Sequence, residues 1–288
     1  MTIAKLAETD LWYDIHGEGH PLYLLPGLGL DHSYYQFAVP LLKEHAQVVV
    51  VDPRGTGRSA KPSPAINTYC AEQWADDFAD LARNLGHKNI DVVGSSLGGS
   101  MAMALALRHP ELVRSLIVVG GFSEIDKSIE MNMTFRKKLV AALGMGEVLA
   151  DFMSMSSMTR EFMDTEAGQQ VIAATQRDVK ANPADYYVAF VDAVLKWGGR
   201  LKSEESQSSW TESIRGIAVP TLVLAGDNDY FIPTKFSKIV AESIPHSIYR
   251  EVASGGHIPF IERPEAIVGY LLEFLASLGD LNRTAAGR

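Results

Sequence analysis

The sequence contains a single cysteine, Cys70, in 288 residues. One thiol cannot close an internal disulfide and cannot build a multi-thiolate metal site. Basic residues are also in short supply: 26 Lys and Arg stand against 35 Asp and Glu, a net charge of −9. That balance provides no cationic surface excess for phosphate backbones, so nucleic acid is excluded as the main partner. No apolar run approaches the roughly 18 residues of a membrane span, and the stretch 101–107 is among the longest. The first ten residues, MTIAKLAETD, lack the charged-then-apolar order of a signal peptide. A cytoplasmic protein with no membrane partner is expected. There is no Gly-x-x-x-x-Gly-Lys-Ser/Thr phosphate loop and no His-Glu-x-x-His motif. Neither a cofactor nor a metal is expected.

What is present is ordinary globular composition, 47% hydrophobic and 21% charged, in a length that suits one α/β domain or two small ones. Asp10–His16 alternates apolar and polar residues, and Pro21–Leu25 follows a Gly-rich turn. The two predict an antiparallel hairpin or meander. Residues 48–51 are all valine, the pattern of a strand buried on both faces. Residues 90–93 and 116–119 read the same way. Helical stretches at 69–85 and 96–109 intervene, each ending near Gly86 or Pro110. Strands at 221–225 and 247–251 and helices at 235–243 and Pro264–Ser277 complete the alternation. Buried strands alternating with helices imply an α/β fold with a mostly parallel sheet covered on both faces.

Between residues 122 and 215 the strand signal stops. Phe135, Leu139, Ala142 and Leu143 recur at helical spacing, and Asn182-Pro183 reads as an N-cap and first residue launching Ala184–Trp197. Seven of the ten methionines fall in this segment, as adaptable core filler or as a forgiving wall for a ligand. A helical insert in such a sheet is expected to form a lid over the carboxyl edge, where open α/β sheets bind ligands. The division expected is a core of 1–121 and 216–288 with a helical cap of 122–215.

The chemistry concentrates in Asp91-Val92-Val93-Gly94-Ser95-Ser96-Leu97-Gly98-Gly99. A buried strand runs into Gly-x-Ser-x-Gly and a helix follows at once, which is the context of a nucleophile elbow. Ser96 lies two residues from both Gly94 and Gly98, whereas Ser95 does not. The Leu97 N–H at the helix start is placed to stabilise an oxyanion. A second donor, the Leu28 N–H, is expected from Leu25-Pro26-Gly27-Leu28-Gly29 after an early strand. Of eight histidines, only His257 sits in a Gly-rich loop after a late strand; His32 could line the site from the first loop. Asp227 and Asp229 both follow the strand at 221–225. Nucleophile, acid and base then come in the order of the α/β-hydrolases and not of the chymotrypsin or subtilisin types. Gly55-Thr56-Gly57-Arg58-Ser59-Ala60 spells a dinucleotide-binding motif, but Lys61-Pro62-Ser63-Pro64 prevents the helix that would receive a pyrophosphate.

Six ordered segments resemble the α/β-hydrolase family over nearly the whole chain. They are 25–29, 51–59, 94–99, 109–113, 219–229 and 256–264. The resemblance implies an eight-stranded, mostly parallel sheet with the cap inserted after the sixth strand. It also implies that Asp229, four residues before Pro233, is the acid of a Ser96, Asp229, His257 triad, with Leu28 and Leu97 forming the oxyanion hole. One departure is Pro26, where the family usually has His. The stretch 52–59 and the His-x-Pro-x-x-Glu-x-Pro tail resemble the 3-oxoadipate enol-lactonases and small carboxylesterases. The implied activity is serine-dependent cleavage of a small, mainly apolar ester or lactone, with a small-molecule partner and, optionally, further copies of the chain. C–C hydrolases usually carry Trp after the base, where this chain has Ile258. C–C bond hydrolases, cofactor-free perhydrolases and non-turnover receptors of this fold share the triad and stand as alternatives. Glu161, Asp164 and Glu166, the cap carboxylates an aminopeptidase relative would need, read as a solvated face.

Overall fold

The computed structural model describes residues 2–65, 69–199 and 210–279. The strands are β1 (Thr2–Lys5), β2 (Asp10–His16), β3 (Pro21–Leu25), β4 (Gln47–Val51), β5 (Ile90–Ser95), β6 (Val113–Val119), β7 (Thr221–Gly226) and β8 (Ile248–Val252). They form one sheet in the order β1-β2-β4-β3-β5-β6-β7-β8. β2 pairs antiparallel with β1 and β4, and every other pair is parallel.

The expected hairpin between Asp10–His16 and Pro21–Leu25 does not form. β3 lies parallel between β4 and β5, and β2 pairs across β4. Burial explains the arrangement: four of the five β3 residues are buried, whereas most of β2 is only partly covered. A strand apolar on both faces belongs inside a sheet, and a half-covered one near its edge.

Two apolar layers hold the sheet. On one face the helices Ala71–Asn84 and Leu97–Arg108 bring Trp74, Phe78 and Met101 against it. Ten of the twelve residues of Leu97–Arg108 are buried, and its Gly and Ala residues let it approach closely. On the other face Tyr35, Phe260 and Leu271 pack on Leu22, Leu24 and Val50, with helix Pro264–Ser277 covering them. Each fully buried large side chain contributes about 1.5–3 kcal/mol.

Within 122–199 the regular structure is entirely helical, chiefly Lys127–Leu143, Glu147–Ser157, Glu166–Ala181 and Ala184–Trp197. The expected cap segment also includes residues 200–209, which lie outside the described residues. Asp126 caps Lys127–Leu143 by accepting from the Ser128 and Ile129 N–H groups. Trp197 Nε1 donates to the Phe122 carbonyl at 2.7 Å, tying the end of the helical run to its start. The apolar phase of Lys127–Leu143 differs from the sequence expectation. Its buried residues are Ile129, Met133, Arg136 and Val140, while Phe135 and Leu143 are 46% and 61% exposed. The period is helical as expected, but the inward face is rotated and carries a charge. Among the described residues, no helix is long and apolar enough to cross a membrane.

Candidate active site

Ser96 stands in the turn between β5 and the helix Leu97–Arg108, with φ 56° and ψ −119°. Left-handed backbone at a non-glycine residue costs on the order of 1–3 kcal/mol and persists only where the surroundings enforce it. The flanking glycines permit it: a Cβ on Gly94 would lie 2.1 Å from the Gly98 carbonyl oxygen, and one on Gly98 2.1 Å from that of Leu25. Larger residues would push the elbow off β3 and open the turn.

His257 follows β8 in the loop Ser254-Gly255-Gly256-His257. Its Nε2 lies 2.9 Å from Ser96 Oγ and its Nδ1 2.7 Å from Asp229 Oδ2. A carboxylate only accepts, so Nδ1 carries the proton and Nε2 is left to accept from the serine hydroxyl. The other Asp229 oxygen accepts from the Phe231 and Ile232 N–H groups at 2.9 and 2.8 Å. Asp227 is exposed and, among the described residues, accepts only from the Gly255 N–H, at 3.3 Å. Of the two candidate acids, the structure brings Asp229 to the imidazole.

Ser95 is engaged elsewhere, its Oγ 3.0 Å from the Tyr34 hydroxyl. The loop after β3 packs on the elbow so closely that a Cβ on Gly27 would lie 3.4 Å from Ser96 Cβ. Among the described residues, neither the Leu28 N–H nor the Leu97 N–H finds an acceptor within the protein. Leu28 lines the cavity into which Ser96 opens, and Leu97 follows Ser96 at the start of the helix. Pro26, where the family has His, leaves the Leu28 N–H available.

Ser96 and His257 open into a cavity of about 110 Å³. Its walls are largely apolar: Leu28 and Leu30 from the first loop, Met153, Met158 and Val171 from the 122–199 segment, and Phe231 two residues after Asp229. The Phe231 ring meets His257 edge-on at 4.8 Å. The methionines divide their roles, with Met153 and Met158 lining the cavity, Met133 in the core, and Met131 and Met155 exposed.

His32 does not line the cavity. Its Nδ1 and backbone N–H both meet Asp52 Oδ1, at 2.7 and 2.9 Å. Burial pulls the His32 pKa down, but the hydrogen bond and charge of Asp52 outweigh it and hold the value up. The other Asp52 oxygen accepts from Arg58 N–H, so the Gly-rich loop at 55–60 wraps a carboxylate and opens no helix. Asp31, His32 and Asp52 bring potential metal-ligand atoms together, but Asp52 is already hydrogen-bonded through both oxygens. Glu161, Asp164 and Glu166 are exposed and are not among the residues lining the cavity.

Two residues drew no role of their own from sequence reasoning, Glu262 although it is the Glu of the His-x-Pro-x-x-Glu-x-Pro tail. Glu262 is buried, and its Oε2 accepts from the Thr159 N–H and Oγ1–H at 3.2 and 2.8 Å. Burial raises its pKa, with the Thr159 bonds opposing the shift. Arg136 lines the cavity from helix Lys127–Leu143. The available signal was a charged residue in register with Ile129, Met133 and Val140 at helical spacing.

The sequence profile of the alpha/beta hydrolase fold matches residues 20–264. The chain belongs to the α/β-hydrolase fold family. Within this family it is 28% identical, over 96% of its own length and 99% of the relative's, to a protein of Azorhizobium caulinodans assigned as the carbamate hydrolase RutD. Among solved α/β-hydrolase structures it resembles the enol-lactonase of Burkholderia xenovorans LB400, with TM-score 0.82 and 26% identity over 96% of this chain and 100% of that one. It also resembles a thermophilic esterase of Thermogutta terrifontis solved with malate bound, with TM-score 0.81 and 25% identity over 96% and 99% of the two chains.

Proposed function

We propose that this α/β-hydrolase is a serine esterase or lactonase that cleaves a small, mainly apolar substrate through an acyl-enzyme on Ser96. The observation that carries the reading is the unbroken hydrogen-bond path from Asp229 through His257 to Ser96 at the floor of the apolar cavity. Ser96 Oγ forms a bond to the substrate carbonyl carbon while its proton passes to His257 Nε2. The carbonyl electron pair moves onto oxygen, where the Leu28 and Leu97 N–H groups receive the charge. One such donor is worth about 10²–10³ in rate. The imidazolium is held by Asp229 and returns its proton to the leaving oxygen as the C–O bond breaks. Water, deprotonated by the same nitrogen, then attacks the acyl-enzyme and releases the acid.

The 122–215 segment acts in this scheme as a lid that selects substrate and limits water. A carbamate carbonyl is a second reading, favoured by the likeness to RutD proteins along nearly the full chain. The same serine would attack it, with an amine replacing the alcohol as leaving group.

Multiple turnover of p-nitrophenyl butyrate, set beside simple lactones and carbamates, tests the reading. Ser96→Ala should lower kcat by on the order of 10⁵–10⁶, and Ser95→Ala should retain most activity. An organophosphonate should label Ser96 in peptide mapping. Labelling without turnover would make the chain a receptor, and label on Ser95 would move the nucleophile.

A further inference from the structure

Helix Glu147–Ser157 turns Ser154 inward with Leu149 and Ala150. Ser154 is 3% exposed and lines the cavity. A buried hydroxyl calls for a partner, because an unpaired one has given up its water for nothing. Among the described residues, the buried side-chain polar atoms without a hydrogen-bond partner are Thr9 Oγ1, His20 Nε2, Ser100 Oγ, Ser154 Oγ and Glu262 Oε1. Of these residues only Ser154 belongs to the cavity wall.

A hydroxyl inside a helix ordinarily finds the carbonyl four residues back. Thr134, Ser156 and Thr175 do so, donating to the Glu130, Phe152 and Val171 carbonyls at 2.8, 2.8 and 2.9 Å. Ser154 makes no such bond to Ala150. Ser156, which ties to Arg136, lies two residues on and so on a different face of the helix. Ser157 lies three residues on and shares the Ser154 face. It too lines the cavity, and among the described residues its hydroxyl has no partner. The Ser157 carbonyl accepts from the His257 N–H at 2.8 Å, which holds this wall beside the base.

Each of the two hydroxyls can donate one hydrogen bond and accept others. Met153 and Met158 flank them in the lining, so an ionised group on this wall would lose its water without gaining an opposite charge there. A neutral hydroxyl needs one acceptor and one donor, and the pair supplies both. We infer that Ser154, with Ser157 beside it, binds a neutral hydroxyl of the substrate, so that the preferred substrate is a hydroxyl-bearing ester or lactone. The inference rests on the hydrolase reading above and names its substrate class. An analogue with methyl in place of that hydroxyl leaves Ser154 desolvated and unpaired, which is how such a wall discriminates.

The test uses ester pairs that exchange hydroxyl for methyl. On the acyl side p-nitrophenyl 3-hydroxybutyrate is set against p-nitrophenyl 3-methylbutyrate, and on the alcohol side 2-hydroxyethyl butyrate against propyl butyrate. Wild type should favour the hydroxylated member of at least one pair in kcat/KM, and that pair identifies the side of the substrate that meets Ser154. Ser154→Ala should lower the ratio by about 10-fold. It should melt no lower than wild type, because no internal hydrogen bond is lost. No hydroxyl preference in either pair, or a ratio unchanged in Ser154→Ala, overturns the inference. So does a Ser154→Ala melting temperature well below that of wild type, which would give the hydroxyl a structural partner instead. If wild type cleaves none of the four esters, the hydrolase reading fails. The subsite is then judged on binding alone: thermal stabilisation by methyl 3-hydroxybutyrate but not by methyl 3-methylbutyrate, lost in Ser154→Ala, supports it, and any other pattern overturns it.

Discussion

At the carboxyl edge of the sheet, Asp229 accepts from three donors of its own chain and His257 is held through both ring nitrogens. In the cap helices above it, Arg136 brings a buried charge with only neutral partners, and Leu143 and Met155 stand exposed. The lower region is closed on itself, as groups must be that hold one geometry through a reaction. The upper region meets the cavity through Arg136 and through the apolar side chains around it. On the proposed reading, the chemistry belongs to the lower layer of the cavity and substrate choice to the upper one.

The sharpest break of that contrast is at the acid. Asp229→Asn should cost about 10⁴ in kcat by leaving His257 in the wrong tautomer, whereas Asp227→Asn should stay close to wild type. Steady-state kinetics on both, with melting curves to confirm folding, decide it; a nearly dead, folded Asp227→Asn beside an active Asp229→Asn would reverse the assignment. Next in size is the inward face of the first cap helix. Met133→Ala should cost about 2–5 kcal/mol in urea unfolding, and Leu143→Ser less than about 0.5 kcal/mol. Equal costs would mean that the helix is rotated from the position described here.

The smallest effect is at the seam between the regions. Burial lifts the Glu262 carboxyl above its ordinary 4.5. The folded chain then holds this proton more tightly than the unfolded chain. The stability so gained is full below 4.5 and is lost as pH rises through the raised value. Glu262→Gln removes that titration, so its melting temperature should gain on wild type between about pH 4 and pH 7. A difference that does not change with pH would show that the carboxyl titrates alike in both states.

The tight turn at Ser96, the loops that bring Asp229 and His257 to it, and the buried strands were legible because each depends on a residue type at fixed spacing. Gly94 and Gly98 are dictated by backbone contacts, and the valines of β4 by burial on both faces. The partner of β2 was not legible, since alternation states that a strand is half covered but not which neighbour covers it. β1 was missed because three of its four residues are exposed, leaving little apolar signal. The inward face of Lys127–Leu143 was misjudged for a related reason: hydrophobic pattern treats Arg136 as a surface residue, and the apolar side chains that end up exposed supplied the competing phase.

The hydrogen bond from the His257 backbone N–H to the Ser157 carbonyl, at 2.8 Å, works as a rivet, and Thr159 gripping Glu262 is a second one beside it. The helical segment is thereby tied directly to the loop that carries His257. Helix Glu166–Ala181 is the loose panel: only Gly168 and Val179 in it are buried, yet Val171 and Thr175 face the cavity. On the proposed reading, a substrate would enter past that helix and leave Ser96 and His257 at the opposite wall in register.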